Sequence, residues 1–231
     1  MSGINRELST NQEALWDNQH ALRGGQNGLE GDQLVDVPNE AAVMFNNLLA
    51  PESIIAEVGS ANGRDARFWA RHGHRVHCLD FSRVALSQLV EHADRQGVSD
   101  RINPLHFDAN AGRLPKEVDE SIDGFYARSA LHVDDDTLMA FLGEVDERLE
   151  PGGVVLIEGK STQDTKIARS LDLGNGLAVD PEENGHLRRV WTPESLDRIC
   201  DAFGWVALQQ ETVDEQWVGT DASFLRLVAT K

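Results

Sequence analysis

A glycine-containing turn and two carboxylates carry the clearest chemical signal in this sequence. The apolar run 54–58 contains Glu57 and leads into Gly59, and the next apolar run ends at Asp80, 21 residues after that glycine. In α/β proteins, an acid about 20 residues beyond the first glycine of a strand–turn–helix unit holds the hydroxyls of a ribose. The spacing therefore predicts a nucleotide-like ligand at the carboxyl ends of two parallel strands.

The glycine pattern then discriminates between nucleotide-like ligands. A dinucleotide site has the pattern G-x-G-x-x-G, because a pyrophosphate must approach the helix N-terminus closely. Here Ala61 stands at the second glycine place and Arg64 at the third. The pattern disfavours a nicotinamide-dependent oxidoreductase and favours a ligand without phosphates. A tight turn that binds nothing is the alternative interpretation, since one glycine motif has low specificity.

These residues need a sheet to position them, and the order of elements indicates one. Short apolar runs alternate with helical patterns, which predicts an α/β fold with a Rossmann-like, doubly wound sheet. We expect seven strands, mostly parallel, with an antiparallel C-terminal edge strand. The predicted strands are 54–58, 75–79, 103–107, 121–126, 154–158, 205–211 and 223–230. Residues 162–189 show no clear periodicity and are predicted to be a long surface connection or lid.

Composition limits the classes of partner. The 231 residues include 39 acids against 21 Lys and Arg, a net charge of −18, which would repel nucleic acid. No apolar run approaches the length of a membrane span, and residues 1–22 lack the apolar core of a signal peptide. We therefore expect a cytoplasmic protein without a membrane or nucleic-acid partner. Two cysteines argue against a disulfide framework, and no metal site is predicted.

Five ordered motifs resemble those of class I methyltransferases that use S-adenosylmethionine (SAM). They are 57–65, Asp80-Phe81-Ser82, Asp108-Ala109, 122–132 and 149–153, within a resemblance that covers about residues 40–231. The Trp16-Asp17 pair and 63–66 are most similar to the tellurite-resistance and thiopurine-type branch, which acts on small molecules. The resemblance implies SAM as cofactor and S-adenosylhomocysteine as product. It also implies a single SAM-binding domain, 51–231, preceded by a helical arm or lid, 1–50.

The resemblance assigns roles within the cofactor site. Asp80 would accept hydrogen bonds from both ribose hydroxyls, Phe81 would pack on the adenine, and Asp108 would accept from the adenine amine. Main-chain groups at Gly59, Ala61 and Arg128 would hold the methionine end. The expected cofactor-binding residues are Trp16, Glu57, Gly59, Ser60, Ala61, Gly63, Asp80, Phe81, Ser82, Asp108, Ala109 and Arg128.

The acceptor site is expected beyond the carboxyl ends of the fourth and fifth strands. Methyl transfer from a sulfonium mostly needs proximity and orientation, and a general base only if the acceptor arrives protonated. His132 is the best candidate for that base, and a histidine that merely bonds backbone is the alternative. Arg188 and Arg189 could clamp a carboxylate or phosphate, or could be solvated or salt-bridged. The candidate substrate-binding residues are Arg128, His132, Lys160, His186, Arg188 and Arg189.

The predicted function is SAM-dependent methyl transfer, by in-line displacement, to a small molecule at an O, N or S atom, with an anionic acceptor as one option. A protein or peptide methyltransferase and a non-catalytic SAM-binding protein are the alternatives. Nucleic acid is disfavoured again, because the fourth strand does not lead into the D/N-P-P-Y/F turn of nucleic-acid N-methyltransferases. The sequence leaves both a monomer and a homodimer open.

Overall fold

The computed structural model describes residues 12–21, 37–183, 185–217 and 220–231. Residues 1–11 and 22–36 of the predicted N-terminal arm lie outside the described residues. The chain divides into two compact units. The first contains the residues up to Asp108 together with Glu117–Asp119, and the second contains Ala109–Lys116 and Glu120–Lys231.

The first unit is built on three parallel strands in the order β3-β2-β1. Its elements are α1 (12–21), α2 (Glu40–Asn46), β1 (Ile54–Val58), α3 (Arg64–Arg71), β2 (Arg75–Asp80), α4 (Arg83–Arg95), a short 3-10 helix (Ser99–Arg101) and β3 (Ile102–His106). β1 and β2 are buried along nearly their whole lengths, as expected for parallel strands that are covered on both faces. Each ends where the glycine turn and Asp80 were predicted.

Local sequence explains where the helices of this unit begin and pack. Ser82 is the N-cap of α4, since its hydroxyl accepts a hydrogen bond from the Ala85 amide at 3.1 Å. Trp69 of α3 is fully buried, and its indole N–H donates to the Ala42 carbonyl at 3.0 Å. The same ring meets Phe45 edge-on, with 5.6 Å between centroids. These contacts fix α2 against α3.

The second unit carries a four-stranded sheet in the order β4-β5-β10-β9 and a small separate sheet. Its elements are a short 3-10 helix (Ala109–Ala111), β4 (Ile122–Arg128), α5 (Asp135–Arg148), β5 (Leu149–Lys160), α6 (Thr165–Arg169), β6 (Leu171–Gly174), β7 (Leu177–Asp180), a second 3-10 helix (Pro181–Glu183), β8 (His186–Arg189), α7 (Pro193–Phe203), β9 (Val206–Trp217) and β10 (Thr220–Thr230). β4 and β5 are parallel, whereas β10 is antiparallel to both β5 and β9.

The predicted fold class is confirmed. The seven long strands form a Rossmann-like, mostly parallel sheet with an antiparallel C-terminal edge. Strand boundaries differ by a few residues, most at β9, which ends at Trp217 instead of residue 211, and at β5, which begins at Leu149 instead of residue 154. Among the described helices, none has both the length and the apolar character that a membrane crossing requires.

Residues 162–189 differ from the prediction of a connection without regular structure. They contain α6 and a three-stranded antiparallel sheet in the order β6-β7-β8. These strands have four residues each, which is too short for an alternating pattern to stand out. The missed signal is Asn175-Gly176, whose φ angles of 52° and 75° suit the two-residue hairpin turn between β6 and β7.

Candidate functional site

In the first unit, the predicted ribose acid lies at the end of β2 with its carboxylate fixed by backbone. Asp80 is 8% exposed, one oxygen accepts from the Ala61 amide at 2.8 Å, and the other accepts from the Ser82 amide at 2.8 Å. Burial raises the pKa of Asp80, while these two amides lower it in part. A carboxylate has about four acceptor positions, so Asp80 retains capacity for further hydroxyl donors.

The turn after β1 has a backbone that glycine makes possible. Gly59, Ala61 and Gly63 all have positive φ, at 77°, 49° and 76°. A Cβ on Gly63 would lie 2.5 Å from Leu89 Cγ, so a larger residue would clash there. Ala61 adopts the left-handed region despite its Cβ, which is uncommon outside special turns. The strained turn aims the Ala61 amide at Asp80.

Two buried polar atoms beside this turn fit a bound ligand. Glu57 and Ser60 are 3% and 4% exposed, and Glu57 Oε2 and Ser60 Oγ have no hydrogen-bond partner among the described residues. Buried polar groups in native proteins almost always have partners. Burial raises the pKa of Glu57 well above its ordinary value, with Asp65 as the next contribution. The ammonium group of SAM would supply the missing donors and would favour the ionised carboxylate.

The remaining predicted cofactor residues fall into three places. Phe81 is half-buried directly after β2, and Ser82 follows it at the start of α4. Asp108 lies after β3 at the end of the first unit, whereas Ala109 and Arg128 belong to the second. Trp16 lies on α1, where its ring stacks with that of His20 at 6.0 Å. The structure gives no test of their binding roles, which stay predictions.

In the second unit, Arg128 is held in a network of ion pairs. Glu158 of β5 is 1% exposed and accepts from Nε of both Arg128 and Arg226 at 2.5 Å. Arg128 also donates to Glu215 at 2.5 Å, and Arg226 donates to Glu211 at 3.1 Å. Burial alone would lower the pKa of Arg128, but Glu158 and Glu215 raise it. The Arg128 guanidinium is thus paired with acids of the protein, which disfavours its predicted role in binding the acceptor. The predicted role of its main chain at the methionine end is unaffected and stays a prediction.

Arg189 is likewise engaged within the protein. It is 1% exposed, and it donates to the Val133 carbonyl at 2.9 Å and to Asp135 at 2.5 Å. Its guanidinium also lies 4.8 Å from the centroid of the Trp191 ring. These contacts favour the salt-bridge interpretation for Arg189, which attaches β8 to the first turn of α5.

His132 is in an environment that makes it a weak base. Its Nδ1 accepts a hydrogen bond from the Arg189 amide at 3.1 Å, so the proton of the neutral ring is on Nε2. The residue is half-buried as a whole, but Nε2 is shielded from water. Burial first, and Arg188 second, lower the pKa of His132 to about 3. The ring is therefore neutral at neutral pH.

Lys160, Arg188, His186 and His132 form what we call the basic cluster. Lys160 pairs with Asp164 at 2.6 Å, and its Nζ lies 4.0 Å from the centroid of the Phe224 ring. Burial lowers the pKa of Lys160, and Arg188 adds to this effect. Arg188 and His186 both lower the pKa of His132. The structure thus brings these four predicted residues together, while Phe224 and Asp164 were not predicted.

Comparison with known proteins agrees with this geometry. Residues 55–153 match the family model described as a methyltransferase domain. No curated protein sequence matches the chain.

Solved structures share the fold at low identity. TehB from Haemophilus influenzae is 13% identical with a TM-score of 0.64, and the match covers 84% of this chain but only 62% of TehB. A SAM-dependent methyltransferase from Methanosarcina mazei is 16% identical, with a TM-score of 0.66 and coverage of 85% and 98%. The 1,6-didemethyltoxoflavin-N1-methyltransferase from Burkholderia thailandensis, solved with 1,6-didemethyltoxoflavin and S-adenosylhomocysteine, is 18% identical, with a TM-score of 0.64 and coverage of 94% and 88%.

Proposed function

We propose that this chain, a class I SAM-dependent methyltransferase with SAM as its cofactor, methylates a small molecule that carries a negative charge. The observation that carries the proposal is the basic cluster of the second unit. Lys160 and Arg188 are both largely buried there, in a chain whose net charge is −18.

Two neighbouring cations that are shielded from water favour an anionic ligand. The side chain of Lys160 is 11% exposed and Arg188 is 8% exposed, and Arg188 lowers the pKa of Lys160. A bound carboxylate or phosphate would offset this repulsion with charge-assisted hydrogen bonds. Lys160 pairs with Asp164 at 2.6 Å, and its charge is shared between that acid and the cluster. We assign Arg188, with Lys160 beside it, to the acceptor's charge.

The first unit supplies the groups that would hold the cofactor. Asp80 would bind the ribose hydroxyls, and Glu57 and Ser60 would accept from the ammonium group. The bound cofactor supplies a methyl group that its sulfonium already activates. Positioning is then the main task of the protein, since a well-oriented acceptor needs little further activation. The acids of this unit also suit a cationic ligand better than basic residues would.

We assign His132 a positioning role instead of a role as general base. A catalytic base works best when its pKa is near the working pH, and the pKa of His132 is about 3. Its Nδ1 instead fixes the Arg189 amide and so positions β8, the strand that carries Arg188. An acceptor that is already deprotonated, such as a carboxylate or thiolate, would need no base.

The test measures turnover on matched pairs of small acceptors, with the release of S-adenosylhomocysteine as the readout. Each pair consists of a hydroxy-, amino- or thiol-bearing carboxylic acid and its neutral amide. We expect turnover of acids in preference to amides. Arg188→Ala should raise KM for an acid about 10- to 100-fold, the loss expected for a charge-assisted hydrogen bond, with a smaller effect on kcat.

Arg148→Ala is the matched control, because Arg148 lies in the last turn of α5 and pairs with Glu144 four residues earlier. Equal turnover of acids and amides, or equal effects of the two arginine variants, would contradict the anionic acceptor. Turnover of peptides alone would favour the protein-methylating alternative. Tight binding of SAM without any turnover would favour a non-catalytic SAM-binding protein.

A further inference from the structure

Helix α1 presents an unusual face to the rest of the first unit. Glu13, Trp16, Asp17 and His20 have the spacing that places side chains on one face of a helix. His106 Nε2–H donates to the Glu13 carboxylate at 3.1 Å, and Gln88 donates to the His20 carbonyl at 3.3 Å. This face has no aliphatic side chain. Burial of aliphatic surface is therefore not what holds it in place.

A short hydrogen bond joins α1 to a predicted cofactor residue. The Ser82 hydroxyl donates to Asp17 Oδ1 at 2.5 Å, and the Val84 amide lies 3.4 Å from the same oxygen. The Asp17 carboxylate thus lies at the N-terminus of α4, where the helix dipole favours negative charge. The Ser82 amide meanwhile donates to Asp80. One fully buried serine therefore connects α1 to the ribose acid.

Two further observations on α1 point to a ligand beside it. His20 lowers the pKa of Asp80 and Asp17 raises it, so both side chains are close enough to influence the ribose acid. Gln19 Oε1 is shielded from water and has no hydrogen-bond partner within the described part of the chain. An amide oxygen in that condition needs a donor. A bound nucleoside, with its hydroxyl and amine groups, would provide one.

We propose that Asp17 is a positioning residue that retains the cofactor. It holds α1 on the first turn of α4 beside Asp80, so that S-adenosylhomocysteine leaves only after the Asp17–Ser82 hydrogen bond has broken. The proposal rests on the proposed function in one respect, namely that the adenosyl group binds at Asp80. It is independent of which acceptor is methylated.

The experiment measures the dissociation rate of S-adenosylhomocysteine by stopped-flow displacement from the full-length protein. Asp17→Ala should accelerate dissociation about tenfold or more, because a charge-assisted hydrogen bond is lost. Asp17→Asn keeps an acceptor oxygen without the charge and should give an intermediate rate. Asn18→Ala is the control, since Asn18 is the exposed neighbour on the same helix. S-adenosylhomocysteine should dissociate from this variant at the wild-type rate.

A second readout separates retention of the cofactor from a merely structural role. Losing this one hydrogen bond should lower the thermal unfolding midpoint of the ligand-free Asp17→Ala protein by only about 2–4 °C relative to Asn18→Ala, so both variants are folded when dissociation is measured. Adding Ser82→Ala to Asp17→Ala should accelerate dissociation less than the two single changes predict together, because both remove the same bond. Dissociation from Asp17→Ala within twofold of Asn18→Ala would overturn the proposal. A wild-type protein that does not bind S-adenosylhomocysteine would overturn it together with the cofactor site.

Discussion

The predicted cofactor residues of the first unit and the basic cluster of the second differ in how the chain assembles them. Ala61 and Asp80, which share a hydrogen bond, are 19 positions apart and flank one strand–turn–helix–strand unit. His132 and Arg189, which also share one, are 57 positions apart and depend on the small sheet β6-β7-β8. The first site is encoded by a local motif, whereas the second depends on long-range packing.

The two sites also differ in charge. Glu57, Asp65 and Asp80 lie near one another in the first unit, where the pKa of Glu57 is raised by burial and by the other two acids. The second unit contains buried arginines, most of which are paired with acids such as Glu158 and Asp135. A cationic cofactor suits the acids of the first unit, and an anionic acceptor suits the cations of the second.

The largest expected effect tests whether the paired arginines are structural. In Glu158→Gln, the guanidinium groups of Arg128 and Arg226 lose the buried charge that they share. We expect the free energy of unfolding to fall by about 3–5 kcal/mol, the usual cost of breaking a buried ion pair. Urea unfolding measures it.

Glu211→Gln is the matched control for this change. Glu211 contacts the same Arg226, but its side chain is 36% exposed, so we expect a loss of about 1 kcal/mol or less. Equal losses for the two variants would mean that the ion pairs of Glu158 contribute no more to stability than the exposed ion pair of Glu211. Arg128 would then again be a candidate for binding the acceptor.

The next effect tests the local motif of the first unit. Asp80→Ala removes the proposed acceptor for the ribose hydroxyls and also the partner of the Ala61 and Ser82 amides. We expect the affinity for SAM to fall about 100-fold, equivalent to about 2.7 kcal/mol. Titration calorimetry with SAM measures this loss, and Asp100→Ala, an exposed acid of the same unit, should bind as the wild type does. Unchanged affinity in Asp80→Ala would remove the ribose from this site.

Sequence reasoning succeeded where the relevant contacts are local. The turn at 59–63 and the acid at Asp80 follow from residue types at short spacing, and the seven-stranded fold follows from alternating patterns. Side-chain pairing between distant elements could not be predicted in this way. Arg128 meets Glu158 and Glu215 across 30 and 87 positions. The sequence therefore could not show which arginines are buried and paired with acids of the protein.

The small sheet was missed for a different reason. Its Asn175-Gly176 turn is a recognised hairpin signal, but the four-residue strands on either side give too little alternation to support it. Because β8 carries His186, Arg188 and Arg189, missing the sheet also hid their approach to His132. The candidate acceptor residues were thus predicted individually, while their arrangement required the structure.

The smallest expected effect is the pH dependence of the stability that His132 contributes in the second unit. The pKa of this histidine is about 3 in the folded protein and 6.5 ordinarily, so below pH 6.5 the unfolded chain binds a proton that the folded chain does not. Stability from this residue is therefore complete above pH 6.5 and is lost as pH falls towards 3. At pH 5 the loss is about 2 kcal/mol, from 1.5 pH units at about 1.36 kcal/mol each. His132→Gln, which cannot titrate, lacks this loss.

The measurement is the difference in unfolding free energy between the wild type and His132→Gln, at pH 7.5 and at pH 5. Carboxylates titrate alike in both proteins and cancel in this difference. We expect the wild type to lose its advantage by about 2 kcal/mol at the lower pH. An unchanged difference would mean that His132 protonates as readily in the folded chain as in the unfolded one. The ring would then be a competent base near neutral pH, and the acceptor could be a protonated hydroxyl or amine.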